Sequence, residues 1–506
     1  MDVSQLGSVA LGAAVAGPWL AAAATAVVPR QIRAGLWWAT AAAALTTVVS
    51  VVAGGPAAVL IGTDDSRPAL GVIANSLTMW LLLLVCSVGA LVHAYAGRYL
   101  RDDPRAPRFE AAMAVTVGAM ALVATSATVA SLIIAWVIAG IGFTAVAGYR
   151  RDLPGVPRLV RSIRWALLAG DTALITAAVI LAVTVGNVAI APEALQQAAT
   201  DLGALAPVVA MLIAVAVLAR CAQGMFRGWL RLTVSAPTPV CAILHAGVVS
   251  GGGILLVRMG PMATWTPALV VVAVVATATA AWASLVVARQ PDVKGQLASS
   301  TSAQMGFMLM QCCVGAYPSA MVHLFGHGLY KAALFLSAGS AVPRPGMPSV
   351  PKVARTRGRY AAALVSGIAA TAAAAPGLTH GEEPVLVVFA AVTAAVLAGA
   401  WWLRRPTTNT RRWVWPAGLV VAATCYGVAV AALGGVIAQT APSTNTGLPV
   451  WALLAIAGLT FTLTAAAARS PMASRLRAQM SDSAAAPAGW DDVPRRELAT
   501  QSIRSS

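Results

Sequence analysis

The sequence predicts an all-α polytopic membrane protein with about 15 transmembrane helices. The 506 residues are 59% hydrophobic and only 10% charged, with a mean hydropathy of +0.78, a profile that a soluble enzyme of this length does not have. Apolar runs of roughly 20 residues, enough to cross a bilayer, recur along the whole chain. These runs are 8–28, 36–54, 70–96, 110–127, 129–148, 162–186, 204–222, 237–258, 266–288, 298–316, 318–341, 359–376, 384–403, 413–438 and 449–468.

The charges between the runs predict the orientation. With the N-terminus outside, every inside loop is rich in arginine or lysine, while the outside loops hold only Arg67 and the edge residue Arg258 as basic groups. This is the positive-inside pattern of membrane proteins. One helix too many or too few would place all the basic loops after it on the outside. The predicted number of helices is therefore either correct or in error by an even number. The C-terminus then lies in the cytoplasm, and we expect the polar tail 469–506 to be disordered.

Composition also excludes several functions. The net charge of +17 does not indicate nucleic-acid binding, because the basic residues lie in short loops. No cysteine pair has metal-ligand spacing, and neither a phosphate loop nor a dinucleotide fingerprint is present. The first run lacks the basic segment of a cleavable signal peptide. We therefore predict no metal, no cofactor and no reaction catalysed by the isolated chain, with lipid as its surroundings.

The run 318–341 carries His323, His327 and Lys331, which recur every four residues. In a helix this spacing places all three on one face, over about 12 Å of the axis. An ionisable group at membrane depth is costly unless it faces protein or water, and such groups usually have a function. The stripe predicts a proton or cation path; the alternative is a polar face that only bonds to neighbouring helices.

A second polar region follows Arg220, where an apolar helix ends. The segment 220–237 contains Gly224, Gly228 and Pro237, and it predicts a broken helix. Broken helices at membrane depth line cavities and mark ion sites in transporters. His245 lies about two turns into the next helix, either as part of the path or as a neutral core imidazole bonded to a carbonyl.

Four motifs resemble the proton-conducting, antiporter-like membrane subunits, such as subunit L of respiratory complex I and the large Mrp antiporter subunit. They are HAYAGRYLRDDPRAPRF, APTPVCAILHAG, DVKGQLASSTSAQMGF and HLFGHGLYKAALFLSAGS, within residues 75–345. LHAGVVSGGGILLVRMGP and QMGFMLMQCCVGAYPSAMVHLFGHGLYKA are most similar to the DabB group, the membrane subunits of two-part bacterial inorganic-carbon transporters. The resemblance implies an antiporter-like fold.

The resemblance also assigns roles to single residues. The broken-helix lysine of the pumping subunits corresponds to Arg220, and the histidine that follows corresponds to His245. The second half-channel corresponds to His323, His327 and Lys331.

Two further family positions lie in this region. A Gly-Asp pair of the sixth helix is present as Gly170 and Asp171. Lys294, before the tenth helix, is either part of the path or a solvated loop charge.

The chain departs from the family at three positions. Val137 follows Trp136 where the family has a glutamate, and the distal lysine of the complex I subunits has no counterpart after residue 345. Arg220 does not release a proton as a buried lysine can. These changes argue against the complete complex I relay. Asp171 lies deep in a predicted span, so we expect it to pair with Arg220.

The predicted organisation has N-terminal helices in 1–74, a conducting core in 75–345, C-terminal helices in 346–468 and the tail. The resemblance implies an ion-translocating subunit of an inorganic-carbon (CO2/bicarbonate) transporter in the bacterial inner membrane. Its partner would be a soluble zinc-dependent carbonic-anhydrase-like subunit (DabA type). The alternatives are a proton-pumping subunit of NADH-quinone oxidoreductase and an Mrp-type cation/proton antiporter subunit.

Overall fold

The computed structural model describes residues 2–338 apart from 26, 29, 65, 66, 264, 288, 289 and 291, together with 356–379, 414–437, 447–469 and six positions between 387 and 402. The tail after 469 therefore lies outside the described residues. The predicted span 384–403 does too, apart from those six positions. The chain divides into two units: 1–315, 324–341 and 440–506 form the larger, and 316–323 and 342–439 form the smaller.

In its described residues the larger unit is a helical assembly with one β hairpin. Its elements are α1 (Val3–Ala24), α2 (Arg30–Gly54), β1 (Ala57–Asp64), β2 (Arg67–Ala74), α3 (Thr78–Tyr99), α4 (Ala106–Thr125), α5 (Val129–Ala147), α6 (Val156–Thr184), α7 (Pro192–Asp201), α8 (Ala206–Arg220), α9 (Gly228–Leu232), α10 (Thr238–Ala246), α11 (Gly251–Arg258), α12 (Gly260–Ala263), α13 (Thr266–Val287), α14 (Val293–Cys313), most of α15 (Tyr317–Ser337), and α18 (Val450–Arg469).

The smaller unit contains α16 (Arg357–Thr379) and α17 (Val414–Ile437). Its small core joins Ala370, Ala394, Ala398 and Leu419. Gly427 is required at its position, because a Cβ there would lie 2.6 Å from the carbonyl oxygen of Ala374. Two long helices can approach this closely only where a small residue separates their backbones.

Nine helical segments among the described residues are long and apolar enough to cross a membrane. The observed helices match most predicted runs to within a few residues, while the number 15 stays a prediction. α14 and α15 are not among the nine, although each has 21 residues. Both carry the polar side chains of the candidate site, which lower their apolar character.

The predicted span 70–96 is wrong at its N-terminal end, because residues up to Ala74 belong to an antiparallel hairpin in which Ala57 pairs with Ala74. Three of the eight residues of β1 and two of the eight of β2 are β-branched, and eight residues are too few for a helical span. α3 begins only at Thr78, since the Asn75 side chain accepts hydrogen bonds from the backbone nitrogens of Leu77 and Thr78.

The predicted break after Arg220 is confirmed. α8 ends in a Schellman motif, in which Gln223 N donates to Leu218 O (2.9 Å) and Ala222 N to Ala219 O (3.3 Å). The motif requires a left-handed residue, and here that residue is Ala222 with φ +54° rather than the usual glycine. The chain then continues in short 3-10 and α-helical turns to Ser235. The helix therefore stops immediately after the arginine.

A second interruption follows His245. α10 ends at Ala246, a 3-10 turn covers Val248–Ser250, and α11 continues to Arg258. Arg258 is buried and donates to the carbonyl oxygens of Val123 (2.7 Å) and Ser126, at the C-terminal end of α4. A cation at that position stabilises a helix terminus. Arg258, which the sequence places at the edge of an outside loop, thus has a structural role within the protein.

Candidate ion path

Arg220 and Asp171 form the predicted ion pair. Arg220 Nη2 lies 3.0 Å from Asp171 Oδ1, and the two side chains are 2% and 18% exposed. Arg220 is the last residue of α8, where a positive charge also interacts favourably with the helix dipole. The pair joins α6 to the break, and neither charge is left alone in an apolar layer.

Trp136 on α5 holds both members of this pair. Its indole Nε1 donates to Asp171 Oδ1 (2.8 Å), and its ring lies 4.0 Å below the Arg220 guanidinium carbon. Its carbonyl oxygen accepts a further bond from Arg220 Nη2 (3.3 Å). A cation over an indole ring is stabilised by the ring quadrupole. In the sequence, Trp136 only identified the position of Val137, where the family has a glutamate, and its contacts with the pair were not predicted.

Glycines allow the helices to meet at this pair. A Cβ on Gly170 would lie 2.7 Å from Ala219 Cβ, and a Cβ on Gly252 would lie 2.6 Å from the Val217 carbonyl oxygen. α6 and α11 therefore approach α8 at nearly backbone distance, as small residues permit in membrane proteins.

His245 is completely buried and is held from both sides. Its Nε2 lies 2.8 Å from Thr233 Oγ1, and its Nδ1 lies 3.0 Å from Thr301 Oγ1. The ring also stacks on Phe335 with centroids 4.5 Å apart. The backbone carbonyl partner that the alternative predicted is not found in the structure, because both ring nitrogens contact hydroxyl groups.

His327 contacts the backbone of the interrupted helix. Its Nε2 donates to the carbonyl oxygen of His245 (3.1 Å), and its Nδ1 lies 3.0 Å from Gln304 Oε1. The His245 carbonyl is among the last of α10, where no intrahelical donor remains. The interruption thus exposes the acceptor that connects α15 to His245.

Lys331 is 1% exposed and has neutral partners. Its Nζ donates to the carbonyl oxygen of Leu297 (2.9 Å) and to Ser300 Oγ (2.5 Å). The described salt bridges do not include this lysine. An ammonium group held by neutral oxygens can exchange its proton, whereas a buried guanidinium beside a carboxylate stays charged.

One face of α14 supplies partners to all three groups. Ser300 contacts Lys331, Thr301 contacts His245, and Gln304 contacts His327. Gln304 is four residues after Ser300 and three after Thr301, and both spacings make neighbours on one side of a helix. Sequence reasoning missed them, although an excess of hydroxyl and amide side chains in ASSTSAQ was a visible signal.

The two remaining residues of the predicted ion path are His323 and Lys294. His323 is half-buried on α15, one turn before His327, and belongs to the smaller unit. Lys294 lies in the first turn of α14 and is 9% exposed. Lys294 is therefore a nearly buried helix residue and not a solvated loop charge.

This arrangement defines a class of protein: a polytopic helical membrane protein with buried cations beside interrupted helices. The same fold is found in the structure of an Mrp complex from Dietzia sp. DQ12-45-1b, with a TM-score of 0.61 and 20% identity over 100% of this chain and 60% of that one. An archaeal membrane-bound sulfane sulfur reductase gives a TM-score of 0.58 at 15% identity, over 95% and 98% of the two chains. The fold is thus the antiporter-like subunit fold.

Two models of antiporter-like membrane subunits match successive parts of this chain. Residues 126–360 match the family described as NADH:quinone oxidoreductase/Mrp antiporter, TM. Residues 61–110 match NADH-Ubiquinone oxidoreductase (complex I), chain 5 N-terminus. Both matches include residues of the predicted core 75–345, and the first contains every predicted site residue.

Relatives with curated names are of two kinds. "Probable inorganic carbon transporter subunit DabB2" of Halothiobacillus neapolitanus is 33% identical over 68% of this chain and 65% of that protein. "Probable inorganic carbon transporter subunit DabB" of Bacillus subtilis is 31% identical over 53% and 54%. "NADH-quinone oxidoreductase subunit L" of Mycobacterium tuberculosis is 28% identical over 54% and 43%. The matches span about two thirds or less of these relatives' lengths.

Proposed function

We propose that this chain is the ion-translocating membrane subunit of an energy-coupled inorganic-carbon transporter. The observation that carries the proposal is the buried, hydrogen-bonded series His245, His327 and Lys331, held by α14 beside an interrupted helix. Groups that exchange protons are costly inside a membrane protein, and their usual use there is to move an ion. The names of the relatives support inorganic carbon as the coupled substrate.

In this proposal two parts of the site have different tasks. Lys331 and the two histidines take up and release protons, or admit sodium by changing charge. Arg220 keeps its charge, because Asp171 and Trp136 stabilise the guanidinium, and it therefore sets the electrostatic potential next to α10–α11. The chain itself catalyses no reaction. A soluble zinc-dependent subunit of the carbonic-anhydrase type would hydrate carbon dioxide on the cytoplasmic side of the bacterial inner membrane.

The substitution at Arg220 supports a transporter subunit over a proton-pumping subunit of NADH-quinone oxidoreductase. A pump that relays protons through this position needs a group that can lose its proton, which arginine does not do at physiological pH. Val137, in place of the family's glutamate, removes a second exchangeable group from α5. In one half of the site Lys331 and the two histidines can exchange protons. In the other half Arg220 keeps a permanent charge.

The test is complementation. A bacterium without carbonic anhydrase, which requires added carbon dioxide, would express this chain together with a soluble zinc-dependent carbonic-anhydrase-like subunit of the DabA type. Growth in air and uptake of labelled inorganic carbon should require both proteins and should stop when a protonophore or a sodium ionophore collapses the driving gradient. Growth with the soluble protein alone, or uptake that survives both ionophores, contradicts the proposal. Co-purification with quinone-linked dehydrogenase subunits would favour the alternative.

A further inference from the structure

The hydroxyl group of Thr301 lies between His245 and the acceptor of Lys331. Thr301 Oγ1 is 3.0 Å from His245 Nδ1 and 2.9 Å from the carbonyl oxygen of Leu297, one turn earlier on α14. Lys331 Nζ donates to the same carbonyl oxygen at 2.9 Å. A single side chain is therefore in contact with one titratable group and with the hydrogen-bond partner of another.

The Leu297 carbonyl has more donors than it can accept. Besides Thr301 Oγ1 and Lys331 Nζ, Ser300 Oγ lies 3.0 Å from this oxygen. The backbone N–H of Thr301 also points to it in the regular i to i−4 pattern of α14. A carbonyl oxygen has two lone pairs. The four donors cannot all be satisfied at once, so at least one hydroxyl group must turn elsewhere, and Thr301 has His245 Nδ1 as an alternative acceptor.

The other side of the ring is fixed. Thr233 Oγ1 donates to the carbonyl oxygen of Leu230 at 2.6 Å, so toward His245 it acts as an acceptor. Nε2 of His245 therefore carries a proton. If the Thr301 hydroxyl donates to Nδ1, the ring is a neutral imidazole; if that hydroxyl donates to Leu297, Nδ1 must also carry a proton and the ring is charged.

We propose that Thr301 is a positioning residue that makes the charges of Lys331 and His245 mutually exclusive. When Lys331 is an ammonium group it occupies the Leu297 carbonyl, and the Thr301 hydroxyl turns to Nδ1 and keeps His245 neutral. When Lys331 is neutral, its amine is a weaker donor because the bond is no longer charge-assisted, so the hydroxyl returns to the carbonyl and His245 holds the proton. His327 is the other titratable group beside His245. The inference rests on the proposed function for its use in transport, but its hydrogen bonds can be tested without transport.

The measurement is nitrogen-15 NMR of the full chain, labelled at histidine and reconstituted in lipid. The sequence has only five histidines, and loss of one signal in His245→Gln identifies the ring. At a fixed pH near neutral, Lys331→Met should increase the doubly protonated fraction of His245 at least about threefold in the parent and in Thr301→Ser. In Thr301→Val, which has the same shape without the hydroxyl, the same change should produce less than half of that increase.

An equal increase in the valine background would overturn the inference, because plain charge repulsion between Lys331 and His245 does not depend on the hydroxyl. Thr301→Ala provides the same comparison should the valine variant fail to insert. Failure of complementation by the parent chain would count against the proposed function and leave this result intact, since the NMR experiment uses the chain without a partner. Loss of the hydroxyl effect together with normal transport would count against the coupling and leave the proposed function intact.

Discussion

Arg220 and Asp171, 49 residues apart in the chain, form an ion pair in which Asp171 Oδ1 accepts from the guanidinium at 3.0 Å and from the Trp136 indole at 2.8 Å. One carboxylate oxygen therefore joins α5, α6 and the end of α8. Ala219 leaves no room for a larger residue at Gly170, where a Cβ would lie 2.7 Å from the Cβ of Ala219. The pair is held in one geometry, which suits a fixed charge better than a carrier of protons.

The first prediction concerns this pair. Asp171→Asn and Arg220→Gln should each reduce insertion or activity, because each leaves a buried charge at a cost of about 3–5 kcal/mol. The double variant Asp171→Asn with Arg220→Gln should recover insertion, since no lone charge remains. Membrane-fraction yield and thermal stability in detergent measure this effect. Equal insertion and transport by parent, single and double variants would show that the pair has no role.

Arg220→Lys gives a second, separate prediction. Lysine preserves the positive charge and can release a proton, but it cannot make the planar contacts that arginine makes with Asp171 and Trp136. We expect the variant to fold and to shift the pH dependence of transport, measured as uptake between pH 6 and pH 9. A pH profile that coincides with that of the parent would mean that Arg220 does not set the local potential.

The third prediction is that Lys331→Ala abolishes transport while the protein still inserts. Alanine is a good helix former, and the change removes only the exchangeable group and its bonds to Leu297 and Ser300. Uptake should fall by at least about tenfold. Tyr330→Ala is the matched control, because Tyr330 is the adjacent residue on α15 but is 56% exposed. Near-normal growth of the Lys331→Ala strain would show that the polar face of α15 is only structural.

A fourth prediction concerns the loops that we place in the cytoplasm. Arg150 is buried between Asp103 (3.0 Å) and Asp152 (2.9 Å), and Arg105 also pairs with Asp152. Burial works to raise the pKa of Asp152, but hydrogen bonds from Arg150 and Arg105 outweigh it and lower this pKa from 3.8 to about 2.

Since the folded-state pKa of Asp152 is depressed, its stabilisation is present above pH 3.8 and is lost as the pH falls toward 2. Asp152→Asn should therefore flatten the decline of melting temperature between pH 5 and pH 2.5. The effect should be small, because the carboxylate is 41% exposed. Asp103→Asn should lower the melting temperature further at neutral pH, since the Asp103 side chain is only 4% exposed. A larger loss with Asp152→Asn would contradict this ranking.

The fifth prediction is the topology. With the N-terminus outside, a reporter inserted in 342–358 should lie in the cytoplasm and one in 376–383 should lie outside. The first segment carries the basic residues of a predicted inside loop, and the second carries Glu382 and Glu383. Cysteine accessibility in intact cells gives an independent measurement. If both positions report the same side, either the number of helices between them or the assigned orientation of the chain is incorrect.

The sequence by itself determined the class of fold, the break after Arg220 and the identity of the titratable groups. These follow from local properties: apolar length, glycine and proline positions, and the cost of a charge in an apolar helix. That cost also explains why Arg220 and Asp171 could be paired in advance. Two charges of opposite sign in one apolar layer have few other charged groups with which they could pair.

Only the tertiary structure decided which neutral groups surround those charges. Ser300, Thr301 and Gln304 are ordinary helix residues in sequence, and Trp136 is an ordinary membrane tryptophan. Their roles depend on α14 and α5 facing the interrupted helices, which is a matter of long-range packing. The β hairpin before α3 was missed because a short apolar strand and the end of an apolar helix have the same composition. Composition is local, whereas the choice of hydrogen-bond partner is made by the fold.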